Sequence, residues 1–282
     1  MNPYKSNLLI TGCVRNASKN IKYEIDKLKQ ITYFFKSIKI LLIESDSQDN
    51  TNEILKKIKS KDLNFDFKSL GNLRKKYKFR TDRIARCRNE YVHEITSNSK
   101  YKNIDLVLIV DLDNINFLLS KKSLLSCFKQ KNWDAVFANQ KFAYYDIYAL
   151  RHEEWSPNDY RNQLNFFDKY RKNRFLNYWF TSYSKMLIIP EDSEWIEVDS
   201  AFGGAAFYKK KCFFNNRYSG SINGKEICEH VFFNKYLKLQ KKKLFICPSF
   251  INSGFNEHHK RLTFFYKLKF IFILFINLFK KN

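Results

Sequence analysis

The sequence has few of the residues that usually separate domains. It contains 4 prolines and 7 glycines among 282 residues. No stretch rich in Pro, Gly or Ser forms a linker, and no internal repeat is present. We therefore expect one domain over residues 1–260, which is long enough to bury a substantial core.

Cysteine pairs suited to a zinc site are absent. Six cysteines lie far apart, without a CxxC pair or a Cys/His spacing typical of zinc ligands: Cys13, Cys87, Cys127, Cys212, Cys228 and Cys247. The amino terminus also lacks a signal-peptide core, since the apolar run at residues 8–10 stops at Thr11-Gly12. Reduced thiols in a cytoplasmic protein are expected.

Acidic residues are scarce. The chain has 51 Lys and Arg against 28 Asp and Glu, a formal net charge of +23. This charge would attract nucleic acid, anionic lipid or a phosphorylated substrate, although the Lys, Asn, Ile and Phe bias of an AT-rich genome would produce the same excess. The basic residues are spread along the chain and no nucleic-acid motif is recognised, so we do not expect a nucleic-acid partner.

The chain also lacks an apolar run long enough to span a bilayer comfortably. Residues 270–279 would form a helix of about 15 Å, roughly half the hydrocarbon thickness. Four lysines flank this run: Lys267, Lys269, Lys280 and Lys281. We expect residues 261–282 to form an apolar and basic helix on the anionic inner face of the cytoplasmic membrane; the alternative is a terminal helix packed on the domain.

Strand and helix patterns alternate along the first half of the sequence. Strands are predicted at residues 8–10, 38–43, 65–70, 104–110 and 135–138, and helices at 21–35, 52–58, 83–95 and 229–239. Thr51 is expected to cap the second helix. This order predicts an α/β fold with a mixed, mostly parallel central sheet flanked by helices, and with ligands at the carboxyl ends of its strands.

Two carboxylates follow the strongest predicted strand. Asp111 and Asp113 come directly after the apolar run at residues 104–110. Carboxylates two residues apart at a strand end can reach one hard cation, and oxygen ligands suit Mn²⁺ or Mg²⁺. The alternative is that both residues cap the strand and face water.

Several segments together resemble the nucleotide-binding half of GT-A type glycosyltransferases. They are Gly12-Cys13-Val14-Arg15-Asn16, the loop from Glu44 to Thr51, Ala85-Arg86-Cys87-Arg88-Asn89 and Asp111-Leu112-Asp113. Downstream segments are similar to the fungal capsule-associated α-1,3-mannosyltransferases and their bacterial relatives: Trp133-Asp134-Ala135-Val136, Tyr144 to Arg151, Asp199 to Gly204 and Cys228-Glu229-His230-Val231.

The resemblance implies a GT-A (Rossmann-like) fold and a metal-dependent enzyme that uses a nucleotide-sugar donor. The first expectation is transfer of mannose from GDP-mannose, and a UDP-sugar is the second. The acceptor would be a glycan or a lipid-linked molecule in surface polysaccharide synthesis, and the 144–183 region would bind it. A non-catalytic sugar-binding or nucleotide-binding scaffold and a basic nucleic-acid-binding protein are the alternatives.

The resemblance also suggests roles for residues on the donor side. Gly12 and Arg15 would lie beside the nucleotide, and Glu44 and Asp46 would contact its base and ribose. Arg83, Arg86 and Arg88 have spacings that place at least two on one helical face, suited to the diphosphate or the sugar; a solvated basic face is the alternative. Asp111 would bind ribose or metal, and Asp113 the metal.

Further residues are expected around the transferred sugar and the acceptor. Glu229 would be a general base in an inverting enzyme or would position the acceptor in a retaining one, with His230 beside it. A helix-starting Glu next to a locally packed His is the alternative. Asp199 would hydrogen-bond the sugar, and Gly203 and Gly204 would let the backbone approach it, although a β-turn also explains this pair. His258 is a candidate third metal ligand, unless it belongs to a polar tail.

Overall fold

The computed structural model describes residues 1–260, so the C-terminal helix predicted at residues 261–282 lies outside the described residues. The strands are β1 Asn7–Val14, β2 Ser37–Glu44, β3 Phe65–Ser69, β4 Leu106–Val110, β5 Ala135–Gln140, β6 Ile196–Glu197, β7 Ala205–Lys209, β8 Ser221–Ile222, β9 Lys225–Glu226 and β10 Leu244–Ser253. The α-helices are α1 Ile21–Thr32, α2 Thr51–Lys59, α3 Arg80–Ser97, α4 Lys121–Ser126, α5 Tyr160–Tyr170, α6 Arg174–Thr181 and α7 Glu229–Leu239.

A central sheet of eight strands has the order β3-β2-β1-β4-β7-β5-β10-β6. Strand β7 runs antiparallel to its neighbours β4 and β5, and β6 runs antiparallel to β10. The other neighbouring pairs are parallel. The predicted mixed, mostly parallel sheet is confirmed, and the carboxyl ends of β1, β2, β4, β5 and β10 lie along one edge.

The sheet separates two hydrophobic clusters because successive side chains of a strand point to opposite faces. In β4, Val107 and Ile109 pack in the cluster that contains Tyr91 of α3 and Phe233 of α7. Leu106 and Leu108 pack in the other cluster, which α1 and α2 cover. All five residues of β4 are buried, as a strand covered on both faces requires.

Three local predictions need correction. Thr51 begins α2 instead of capping it, and its hydroxyl donates to Asp49 Oδ1 and accepts the Ala17 N–H at 2.8 Å. Asn50 occupies the N-cap position without a side-chain hydrogen bond to the helix. Helix α3 begins at Arg80, one turn before the predicted start, and α1 ends at Thr32.

The region without clear periodicity, residues 144–183, contains α5 and α6. These helices bury few side chains: Leu164 in α5, and Asn177 and Thr181 in α6. Across residues 1–260, the structure has no helix with the length and apolar character needed to cross a bilayer.

Candidate active site

A cleft of about 730 Å³ opens at the carboxyl edge of the sheet. Six of the residues singled out from the sequence line it together: Arg88, Asp111, Asp113, Glu229, His230 and His258. They come from α3, the loop after β4, the start of α7 and the segment after β10, so only the folded chain brings them to one place.

The loop after β4 is fixed to its neighbours by backbone hydrogen bonds. The Asp111 N–H donates to the Gly204 carbonyl at 2.9 Å. Asn114 adopts a left-handed conformation, with φ of 66°, and its N–H donates to Glu24 Oε1 at 2.8 Å. Asp111 and Asp113 are therefore presented to the cleft by a loop that both β7 and α1 hold in place.

The two carboxylates fit a divalent cation. Burial, followed by the negative charge of Asp113, raises the pKa of Asp111 to about 8. A cation between such groups would relieve their repulsion, and carboxylate oxygens are the ligands that Mn²⁺ and Mg²⁺ take. Asp111 and Asp113 are the residues that would hold the ion.

A buried amide network supports this loop. Asn116 Nδ2 donates to the Asp111 carbonyl at 2.7 Å and to the Gly204 carbonyl at 3.1 Å. Asn252 Nδ2, from β10, donates to Asn116 Oδ1 and to the Gly203 carbonyl, both at 2.7 Å. These hydrogen bonds join the aspartate loop to the Gly203-Gly204 pair.

Positions 203 and 204 require glycine. Gly203 and Gly204 have φ of 71° and 89°. A Cβ at Gly203 would lie 2.7 Å from the Ala138 carbonyl oxygen, and one at Gly204 would lie 3.0 Å from the Tyr145 hydroxyl. The pair therefore allows the backbone to pass close beneath the cleft, with a conformation that other residues rarely adopt.

Arg88 links the donor-side and acceptor-side predictions. Its side chain is only 4% exposed, its Nε donates to Glu229 Oε1 at 3.2 Å, and its Nη2 lies 3.7 Å from Asp111 Oδ1. The guanidinium also lies 5.1 Å from the Phe202 ring centre. A buried cation thus lies between two carboxylates that come from distant segments of the sequence.

His230 is buried beside Glu229 and stacks on Phe202, with ring centres 3.9 Å apart. Burial lowers the pKa of His230 well below its ordinary value, and the charge of Arg88 lowers it further. Among the described residues, neither ring nitrogen has a hydrogen-bond partner. A neutral imidazole therefore forms part of the cleft wall, with both ring nitrogens buried.

His258 faces the cleft from the short 3₁₀ helix Glu257–His259 and stacks on Tyr145, with ring centres 4.6 Å apart and nearly parallel planes. It shares the cleft with Asp111 and Asp113, but the ligand atoms of these three do not all lie within 4.8 Å of one another. A role as third metal ligand stays a prediction. In residues 1–260 the grouping that meets this distance is Glu90, His93 and Glu94, outside the cleft.

Four other predicted donor-side residues lie at or near the ends of β1 and β2. Gly12 lets β1 lie close to the end of β4, because a Cβ there would lie 2.3 Å from the Val110 carbonyl oxygen. Buried Glu44 accepts the Ser47 N–H at 3.0 Å and the Ser69 hydroxyl. Asp46 has φ of 59° and accepts the Arg74 N–H at 2.9 Å.

Arg15, the last of these four, belongs to a basic group at this edge. Its pKa is lowered, first by burial and then by the charges of nearby arginines, Arg74, Arg80 and Arg83. Arg83 also donates to the Tyr77 and Lys78 carbonyls. The structure thus gathers positive charge beside the cleft.

The structure does not bring Arg86 and Asp199 to the cleft lining. Arg86 pairs with Glu90 at 2.9 Å on the outer side of α3. The Asp199 side chain is 58% exposed and lies 3.6 Å from Lys238.

Sequence reasoning did not select Asp146, although it lines the cleft and accepts the Gly203 N–H at 3.0 Å and the Ala149 N–H at 3.3 Å. Burial raises its pKa. Tyr145, Asn116 and Asn252 were also missed. The signal available for Asn252 was a polar residue near the end of an apolar strand at the same sheet edge.

No family profile and no curated protein sequence matches the chain. Many solved structures have a similar fold, among them the following two. The mannosyltransferase PcManGT from Pyrobaculum calidifontis, in complex with GDP-Man and Mn2+, has a TM-score of 0.51 and 10% identity over 88% of this chain. S. aureus TarS 1-349, in complex with UDP-GlcNAc, has a TM-score of 0.50 and 13% identity over 89% of this chain.

The chain spans 56% and 59% of those two proteins. At these identities the likeness shows the fold, and the expected GT-A (Rossmann-like) fold is confirmed.

Proposed function

We propose that the protein is a metal-dependent glycosyltransferase that moves a hexose from a nucleotide-sugar to an acceptor. The observation that carries the proposal is the meeting of Asp111, Asp113, Arg88 and Glu229 in one cleft at the carboxyl end of β4. The fold that holds them is shared with proteins whose structures contain GDP-Man with Mn2+ or UDP-GlcNAc.

The donor half of the cleft suits a nucleoside diphosphate. Asp111 and Asp113 would hold Mn²⁺ or Mg²⁺, and the bound ion would neutralise charge on the departing diphosphate. The basic group of Arg15, Arg74, Arg80 and Arg83 adds a positive field beside them, which favours a phosphorylated ligand.

The acceptor half offers two roles for Glu229. In an inverting reaction this carboxylate would accept the proton of the attacking hydroxyl. In a retaining reaction it would position the acceptor or stabilise positive charge on the sugar. His230, which stacks on Phe202 beside Glu229, would shape the wall of the acceptor half.

The proposal also names a donor, an acceptor and a location. GDP-mannose is the first donor candidate, because the sequence resembles capsule-associated mannosyltransferases and PcManGT was solved with GDP-Man. We place the protein on the inner face of the cytoplasmic membrane, where a glycan or lipid-linked acceptor for surface polysaccharide would be available. The basic and apolar composition of residues 261–282 supports that location.

The test is hydrolysis of a donor panel without acceptor. GDP-, UDP- and dTDP-sugars are incubated with the protein in Mn²⁺, Mg²⁺ or EDTA, and the released nucleoside diphosphate is quantified by chromatography. We expect slow release from one donor, GDP-mannose first, that EDTA abolishes. Absence of turnover together with absence of binding for every nucleotide, with or without metal, would overturn the proposal.

A further inference from the structure

Helices α5 and α6 carry large apolar side chains on their exposed side. Phe166, Tyr170 and Phe180 are 58%, 77% and 51% exposed. Single exposed aromatic residues are ordinary on protein surfaces, but a group that is contiguous in space marks an interaction site.

These side chains form one surface across both helices. The Phe166 ring lies 5.1 Å from Tyr170 and 5.9 Å from Phe167, between ring centres. The Arg171 guanidinium lies 5.0 Å from the Phe167 ring centre and 4.9 Å from that of Phe180, so it connects the two helices. We call the surface formed by Phe166, Phe167, Tyr170, Arg171 and Phe180 the aromatic patch.

The surroundings of the aromatic patch are basic. Residues 160–188 contain six Lys or Arg and a single carboxylate, Asp168. That carboxylate already accepts a hydrogen bond from Asn177 at 2.7 Å and lies 3.8 Å from Arg174. Lys169 and Lys172 are exposed and adjoin Tyr170 and Arg171 in the sequence. The acidic residue at the start of α5, Asp159, already pairs with Arg151 at 2.6 Å.

The same two helices also line the cleft. Tyr160 and Arg161 in the first turn of α5, and Tyr178 of α6, are part of its wall. The Arg161 guanidinium lies 4.0 Å from the Tyr148 ring centre and pairs with Glu226 at 3.0 Å, which fixes this end of α5. The aromatic patch and part of the cleft wall thus belong to the same two helices.

We propose that the aromatic patch and its flanking lysines dock the protein on an anionic phospholipid bilayer. Aromatic rings partition into the headgroup region, and lysines and arginines are attracted by anionic lipid. Resting on the proposed function, this placement assigns a lipid-linked molecule as the acceptor, because docking brings the cleft to the headgroup level.

Charge favours the bilayer over two other occupants. A second copy of the chain would bring two basic surfaces together. Residues 261–282 contain Arg261 and four lysines but no Asp or Glu, so they too match the aromatic patch in sign. An anionic bilayer complements both the rings and the positive charges.

The test is co-sedimentation of the full chain with vesicles of equal parts phosphatidylcholine and phosphatidylglycerol, compared with phosphatidylcholine alone. The triple variant Phe166→Ser, Tyr170→Ser, Phe180→Ser removes the exposed rings. The double variant Lys169→Glu, Lys172→Glu reverses two charges. We expect each to partition into the anionic vesicles at least about tenfold more weakly than the native chain.

The matched control removes equally exposed apolar groups elsewhere, with Tyr23→Ser, Leu63→Ser and Leu239→Ser; these side chains are 66%, 95% and 75% exposed. The control should bind vesicles like the native chain. Unchanged binding of the patch variants, or an equal loss in the control, would overturn the proposal. Donor hydrolysis in vesicle-free buffer is measured in parallel: if the native chain hydrolyses no donor while the patch variants still lose vesicle binding, the proposed function fails and the docking surface stands.

Discussion

Arg88 is the residue on which the charge balance of the cleft depends. It is almost fully buried and faces carboxylates on both sides, Glu229 and Asp111. A buried cation of this kind adds little net stability compared with an apolar residue pair, but its removal leaves the buried Glu229 carboxylate uncompensated. Loss of Arg88 should therefore lower the stability of the protein much more than loss of Arg86, which lies on the same helix.

We expect Arg88→Met to lower the free energy of unfolding by about 3–5 kcal/mol, since Glu229 and Asp111 lose their partner. Arg86→Met is the matched control on the same helix, because Arg86 forms a partly exposed pair with Glu90 and should cost about 1 kcal/mol or less. Urea denaturation measures both. Equal losses in the two variants would show that the Arg88 cluster is not the stabilising group described here.

His230 gives a pH-dependent prediction. Its folded pKa lies well below the ordinary 6.5, so below pH 6.5 the unfolded chain binds a proton that the folded chain does not. The contribution of His230 to stability is therefore present above pH 6.5 and is lost as the pH falls. Between about pH 7.5 and about pH 5 the native chain should lose more stability than His230→Phe does, by at most about 2 kcal/mol.

The control for this pH series is His93→Phe, because the His93 side chain is 69% exposed. It should keep the native pH dependence of urea denaturation. If the stability of His230→Phe depends on pH in the same way as that of the native chain, His230 does not stay neutral in the folded protein.

At the scale of secondary structure, the turn before β7 fixes the aspartate loop after β4. Gly204 accepts the Asp111 N–H and the Asn116 amide through one carbonyl. Its own positive φ and close neighbours leave no room for a side chain. The position of both carboxylates therefore depends on a glycine far from them in the sequence.

Gly204→Ala should lower the free energy of unfolding by about 3 kcal/mol, from backbone strain and from crowding by Tyr145 and Asn252 together. Gly224→Ala isolates the backbone term, since Gly224 has φ of 74° but nothing within 4 Å of an added Cβ; it should cost about 1 kcal/mol. The difference between their urea midpoints measures the crowding. No difference would contradict the close packing described at Gly204.

The elements that could be predicted from the sequence are those with a strong apolar pattern. Strand β4 is buried on both faces and α7 spans its predicted residues Glu229–Leu239, because each has a continuous or periodic apolar signal. Helices α5 and α6 were missed although their sequences are amphipathic, and the pattern could not have predicted that their apolar side stays largely exposed.

At the scale of the whole molecule, the parallel sheet assembles the cleft from distant segments. The Asp111 and Asp113 loop was predictable because a buried strand precedes it. Contacts such as Arg88 with Glu229, 141 positions apart, and Asn252 with Asn116, 136 apart, were not predictable, since no local pattern specifies them. Asp146 was missed for the same reason: its partner is the Gly203 N–H.

The net charge of +23 also acts on the whole molecule. The sequence left open whether this excess reflects function or amino-acid bias. The structure concentrates part of it beside the cleft, at Arg15, Arg74, Arg80 and Arg83, and another part around α5 and α6. The first group suits a diphosphate and the second suits the proposed anionic bilayer.

The central claim is that the cleft turns over a nucleotide-sugar with a metal held by Asp111 and Asp113. The most direct measurement compares donor hydrolysis by the native chain, Asp113→Asn and Asp192→Asn, each with Mn²⁺ and with EDTA. Asp113 is chosen because Asp111 also faces Arg88, and Asp192 is an exposed aspartate that does not line the cleft. We predict that Asp113→Asn loses at least about 100-fold of the Mn²⁺-dependent rate while Asp192→Asn keeps it; equal rates in all three proteins, or rates that EDTA leaves unchanged, would contradict the account.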